Sequence, residues 1–261
     1  MDTKKYENLD FTDNFMFSKI METNPDLCKE LLELILDKTI IKIELPEKEK
    51  HFDITSDGKS IRLDVYVKDG DGVTVYDLEM QTTSQNDLPQ RLRYYQGMID
   101  LSLIEKGASY GELRKSYIIF ICTFDPFERG LCCYRFENFC CDDKGLSLND
   151  GAVKIILNSR GCIKNVSVEL QGFLEYINTK RAKTDLTRKI DDQVQSAKKH
   201  EEWRREYMTL LMRDNENQKI GANRLRKLLQ LLASKGLTDE REHAIDDSEY
   251  AEMLYRKYNI Q

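Results

Sequence analysis

The sequence predicts an α/β fold: one mixed sheet flanked by helices, followed by a helical C-terminal extension. Three features carry that expectation. Residues 51–81 read as consecutive strands separated by Gly-containing turns, the pattern of an antiparallel meander. Leu88 to Lys106 has the spacing of an amphipathic helix. Ser116 to Cys122 (SYIIFIC) is almost wholly apolar, as a strand buried on both faces must be. A meander, a helix and a buried strand in that order describe a sheet with helices on it.

In chain order, the polar start gives way to a short helix capped by Thr12 or Asp13, with Phe15, Met16, Ile20 and the stem of Lys19 inward. Pro25 and Asp26 open a second helix, Leu27 to Leu36. Thr39 to Leu45 reads as a short strand or a connector, and Pro46 to Lys50 as a solvated break. His51 to Ser56 is a strand, Asp57-Gly58 a turn, and Ile61 to Lys68 and Val73 to Gln81 are strands joined by Asp69-Gly70-Asp71-Gly72. The helix after them turns Leu88, Leu92, Tyr95, Ile99 and Leu103 to one side and stops at Gly107. Leu131 to Phe139 and Val153 to Leu157 read as further strands, with a turn at Asp142 to Gly145. From Val168 the pattern is helical, with Asp185 to Met212, Arg224 to Lys235 and Ser248 to Tyr258 as helices and breaks near Asn215 and at Gly236. The expected division is residues 1–180 for the sheet-bearing part and 181–261 for the helical region.

The chain has 261 residues and a net charge of −6. That charge argues against tight, non-specific binding to a polyanion, though bound divalent ions offset acid locally. No apolar run reaches the ~18 residues that span a bilayer, and the N-terminus has no apolar leader core, so the expectation is a cytoplasmic protein without a membrane partner. Seven cysteines follow no disulfide or zinc spacing and read as reduced thiols, mostly buried as small hydrophobes. His51, His200 and His243 form no cluster.

The chemistry concentrates on Ser60 to Gln81. Residues two apart share a strand face, so Arg62, Asp64 and Tyr66 fall together, as do Asp77, Glu79 and Gln81. If the strands pair, Asp64 and Glu79 converge, and two carboxylates on rigid strands can hold Mg²⁺ or Mn²⁺. The backbone carbonyl of Met80 lies between Glu79 and Gln81, and Gln81 stands where it can orient a water or donate to a phosphate. Asp77 is expected as a solvated strand residue, with a further acid of the site as the alternative, and Asp13 as an N-cap, with approach to a metal as its alternative. Arg91 and Tyr95, four apart on a helix, either brace the site or form a surface Arg over a core Tyr. Gln90-x-x-x-Tyr94 is a weaker helix motif.

Asp64 with Glu79-Met80-Gln81, then Asp87-Leu88-Pro89-Gln90-Arg91-Leu92-Arg93-Tyr94-Tyr95, then Gly107, Tyr110 and Leu113, and the apolar strand leading to Asp125 and Phe127, resemble the PD-(D/E)XK nuclease superfamily. The branch they resemble is that of the Rpn (recombination-promoting) nucleases and transposase-like relatives, with Asp13, Met16 or Phe17, and Ile20 a looser match to its opening motif. The resemblance spans roughly residues 9 to 180. It implies a restriction-endonuclease-like sheet and Mg²⁺-dependent hydrolysis of DNA phosphodiesters. It implies Asp64 and Glu79 as metal ligands and Gln81 in place of the usual lysine. Gln is neutral where Lys is a cation, so the site should stabilise a transition-state charge less.

Two other functions remain open on sequence: a non-catalytic nucleic-acid-binding or regulatory relative, and an interaction module using the helical tail. In that tail, charges of both signs interleave, and Trp203, Tyr207, Leu210, Leu211 and the Leu225–Leu232 stripe need a partner, either the protein's own core or a second copy in a homodimer.

Overall fold

The computed structural model describes residues 4–44, 46–52, 61–70, 72–84 and 86–260. The expected turn at Asp57-Gly58, residues Ser56, Ser60 and Asp71, and the side chain of Arg62 lie outside the described residues. The chain divides into two compact units, Glu7–His200 and the pair Met1–Tyr6 with Glu201–Gln261.

The first unit is the α/β part. Helices α1 (Asn14–Thr23) and α2 (Pro25–Leu36) precede strands β1 (Glu47–Phe52), β2 (Ile61–Lys68) and β3 (Thr74–Gln81). Helix α3 (Leu88–Leu103) follows, then β4 (Lys115–Cys122), β5 (Cys133–Phe136), β6 (Ala152–Asn158), α4 (Val168–Thr179) and α5 (Asp185–Ala197). The sheet order is β1-β2-β3-β4-β6-β5. The meander β1–β2–β3 is antiparallel, β3–β4 and β4–β6 are parallel, and β5 returns antiparallel on the edge. This is a mixed, helix-flanked sheet of restriction-endonuclease type.

Pairing fixes the faces, because directly opposed residues point the same way. Tyr66, Val75, Ile118, Phe120, Cys122 and Ile156 form one buried cluster with Leu88, Leu92 and Ile99 of α3. On the other face lie Val65, Val67, Tyr76, Leu78, Ile119, Ile121 and Leu157, all buried. There Tyr76 stacks on Tyr117 at 5.6 Å between ring centres. Lys48, opposite Val65, reaches over the Phe15 ring of α1 at 4.8 Å.

Several elements differ from expectation. The stretch Glu47–Lys50, expected as a solvated break, is most of β1; its charges suit an edge strand, which must discourage pairing with another chain. Thr39–Leu45 contributes only a bridge between Ile43 and Asp69 among the described residues. Helix α5 lies within the first unit, past the expected division at 180/181. Its Leu186, Ile190 and Val194 are buried, and it contacts α1, α2 and α4.

The second unit holds α6 (Glu201–Ser234), α7 (Thr238–Asp246) and α8 (Ser248–Tyr258). Helix α6 runs unbroken for 34 residues, so there is no break near Asn215; the interruption lies at 198–200 instead. Helix α7 was not expected. It helps to enclose Leu228 and Leu232 of α6 with Ala244, Ala251, Leu254 and Tyr255. Gly236, with φ +68°, makes the left-handed turn into α7. Tyr207, whose hydroxyl donates to the Lys4 carbonyl at 2.9 Å, packs on Tyr6. Among the described residues, no helix is long and apolar enough to cross a membrane.

Candidate functional site

Strand β2 carries Asp64 and β3 carries Asp77, Glu79 and Gln81. The register, Val65↔Leu78 and Tyr66↔Asp77, puts all three acids on the α3 face of the sheet. Pairing between β2 and β3 is continuous from Lys68↔Val75 to Val65↔Leu78 and ends there. Beyond that point β2 follows β1, with Leu63 opposite Lys50, while β3 follows β4, with Glu79 opposite Phe120. The two carboxylates fill the divergence. Glu79 Oε1 accepts the Asp64 N–H at 2.8 Å, and Asp64 Oδ2 accepts the Met80 N–H at 3.1 Å. Each acid therefore satisfies a backbone donor that a ladder carbonyl would otherwise have met.

These acids are not surface residues. Asp64 is 3 % exposed, Asp77 1 % and Glu79 2 %. The expectation of a solvated Asp77 is wrong, because α3 and its apolar cluster cover that face. Neither Asp77 oxygen has a hydrogen-bond partner by distance and angle among the described residues. Burial pushes the Asp77 carboxyl well above the usual carboxylate range, and the neighbouring Asp64 pushes it further. Glu79, a neighbour able to share a proton, and the charge of Arg91 work against that rise. Burial, then Asp77 and Asp64, likewise raise the Glu79 carboxyl. Without a cation, this site holds protons that exposed acids would have released.

Gln81 ends β3, half-buried, on the same face. Its Oε1 accepts from Arg91 Nη1 at 3.0 Å. Arg91 Nη2 donates to the Tyr95 hydroxyl at 3.3 Å, and the guanidinium lies 5.6 Å from the Tyr95 ring centre and 5.4 Å from that of Phe120. Arg91 and Tyr95 are therefore joined to the acid strands through Gln81. Tyr94 is exposed, and so is Gln90, which leaves that motif on the outer side of α3.

Asp13 holds the N-cap position of α1 without a side-chain cap bond; its Oδ2 accepts the Asp10 N–H at 2.8 Å. Asp125 closes its own loop, accepting from Phe127, Glu128 and Gly130 N–H groups and from the Tyr134 hydroxyl. Cys28, Cys122 and Cys132 are buried, whereas Cys141 and Cys162 are exposed.

The donor set is all oxygen, which suits a hard divalent cation. The two oxygens of buried Asp77 that meet no hydrogen-bond donor among the described residues, beside Asp64 and Glu79, are acceptors of the kind such a cation would satisfy. Among the described residues no three His, Cys, Asp or Glu side chains are arranged to hold an ion by themselves. Mg²⁺ does not require that, since it takes one or two carboxylates together with waters and substrate phosphates.

Residues 8–134 match the family model described as PD-(D/E)XK nuclease family transposase. The matched stretch contains Asp64, Asp77, Glu79, Gln81, Arg91 and Tyr95 and runs through α3 and β4 into β5. Neither curated proteins nor solved structures give a match to the chain.

Proposed function

We propose, from the match of residues 8–134 to the PD-(D/E)XK nuclease family transposase model, that this chain is a Mg²⁺- or Mn²⁺-dependent DNA endonuclease of Rpn or transposase-like type, acting in DNA recombination. The observation that carries the reading is the crossed pair at the divergence of β2 and β3, Asp64 on Met80 N–H and Glu79 on Asp64 N–H. Asp64 and Glu79, with the Met80 carbonyl, would hold the ion. A bound divalent ion lowers the pKa of a water and offsets charge on a scissile phosphate. Gln81 faces the substrate side of the same strand end and positions water or phosphate by hydrogen bonding. The raised carboxyls of Asp77 and Glu79 mean that cation binding releases protons, so affinity should rise with pH. We further propose a cytoplasmic protein that pairs with a second copy through its C-terminal helices.

The test is cleavage of plasmid and single-stranded DNA with Mg²⁺, Mn²⁺ or EDTA, beside Asp64→Asn and Glu79→Gln. The amides keep an oxygen for the backbone donor, so the strands stay joined while the ligand charge is lost. Cleavage is expected with either metal and not with EDTA, and each variant should lose roughly 100-fold or more. Cleavage indifferent to both substitutions would remove the site assignment. DNA binding without cleavage would point to a non-catalytic, regulatory relative.

A further inference from the structure

We propose that Arg91 is a positioning residue that turns Gln81 into a substitute for a lysine: it fixes the amide with its N–H groups outward and lends it a positive charge. The inference rests on the nuclease reading of this strand end and adds a division of labour to it.

The amide orientation follows from donor chemistry. A guanidinium has only donors, so the Gln81 atom 3.0 Å from Arg91 Nη1 has to be the oxygen. The planar amide then sends its Nε2 hydrogens away from Arg91, and Nε2 has no hydrogen-bond partner among the described residues. Two donors are thus left at the strand end, on the face that carries Asp64 and Glu79.

The charge follows from how Arg91 is held. Its guanidinium is fixed by the Tyr95 hydroxyl and by the rings of Tyr95 and Phe120. Phe120 is the residue opposite Glu79 in the β3–β4 register, so the cation is tied to the strand position of the acid itself. The Arg91 charge acts on both Glu79 and Asp77. A lysine at position 81 would put donor and charge in one side chain. Here β3 supplies the donor and α3 supplies the charge.

The experiment compares full-length wild type, Arg91→Gln, Arg91→Lys and the double variant Gln81→Lys/Arg91→Gln. Metal-dependent DNA cleavage gives kcat and KM, and Mn²⁺ titration by electron paramagnetic resonance needs no turnover. Arg91→Gln should lower kcat about 100-fold with KM changed little, the size of losing one preorganised charge at a developing anion. The double variant should return to within about tenfold of wild type, because its lysine restores the charge. Removing a nearby cation should also tighten Mn²⁺ several-fold in Arg91→Gln, and the double variant should reverse that. Arg91→Lys keeps a charge but loses the planar fork, so its Mn²⁺ affinity should stay near wild type while kcat falls. It also serves if Arg91→Gln does not fold.

Turnover of Arg91→Gln within twofold of wild type, no recovery in the double variant, or unchanged Mn²⁺ affinity would each overturn the proposal. A wild type that binds Mn²⁺ at Asp64 and Glu79 but cuts no DNA would instead sink the nuclease reading, and the Mn²⁺ comparison would decide the role of Arg91.

Discussion

On one face of the sheet Val65, Val67, Leu78, Ile119, Ile121 and Leu157 are buried among apolar neighbours. On the other, Asp64, Asp77 and Glu79 of β2 and β3 are buried nearly as completely. Burying the first set is favourable by roughly 25 cal/mol per Å² of apolar surface. Burying the second costs free energy unless charge is neutralised by a proton or a cation. Equal burial therefore carries opposite energetic sign for the two sets, and on the α3 face the acids sit beside an apolar cluster that itself helps to hold the fold.

The largest expected effect breaks the apolar face. Ile119→Ala should destabilise the protein by about 2–5 kcal/mol, since Ile119 is fully buried in the central strand. Urea unfolding checks this, and a midpoint unchanged from wild type would mean that this face contributes little.

The acid face should respond the other way. Asp77 and Glu79 have raised folded-state pKa values, so the folded protein holds protons that the unfolded chain has released. In EDTA, stability should therefore carry no penalty from these groups below the ordinary carboxylate range and fall as pH rises above it. The slope is at most about 1.4 kcal/mol per pH unit for each proton. Asp77→Asn removes one such proton, so its unfolding midpoint should fall less between pH 5 and pH 8. Equal slopes for variant and wild type would refute the burial argument.

A smaller effect sharpens the contrast with a paired acid. Burial works against ionising Asp10, but Lys180 and Thr12 outweigh it and hold the carboxyl at about 2. Lys180 Nζ lies 2.8 Å from Asp10 Oδ1, and both side chains are partly exposed. This pair stabilises above the ordinary aspartate value and is lost as pH falls toward 2, the reverse of Asp77. Lys180→Met should flatten the stability loss between about pH 4 and pH 2, by an amount reduced by solvent screening. A loss as steep as in wild type would show that Asp10 draws its low pKa from elsewhere.

Much of this was legible in the sequence. Period-two alternation around Asp69-Gly70 marked β2 and β3, and the helical spacing of Leu88, Leu92 and Ile99 marked α3. What alternation does not encode is which face is covered. Asp64, Asp77 and Glu79 look identical on a solvated strand and on a buried one, and only the docking of α3 decides. Glu47–Lys50 is a strand that its residue types do not announce, because charge marks both loops and edge strands. Helix α6 continues through Asp214 to Asn217 because weak helix formers reduce stability without ending a helix, as Pro would. The interruption at 198–200 carries no Gly or Pro, and nothing in its residue types announces it. The Arg91–Gln81 contact joins a helix to a strand ten residues away, and no local pattern reports such a pair.

The crossed bonds at Asp64 and Glu79 have a consequence for inheritance. Because these side chains also close the gap between two strands, drift to Asn or Gln would remove the carboxylate charge without undoing the fold. Drift to Ala would leave two backbone donors unmet. Inactive descendants of this chain should therefore carry amides at these positions more often than alanines. Such copies would persist as stable, folded proteins.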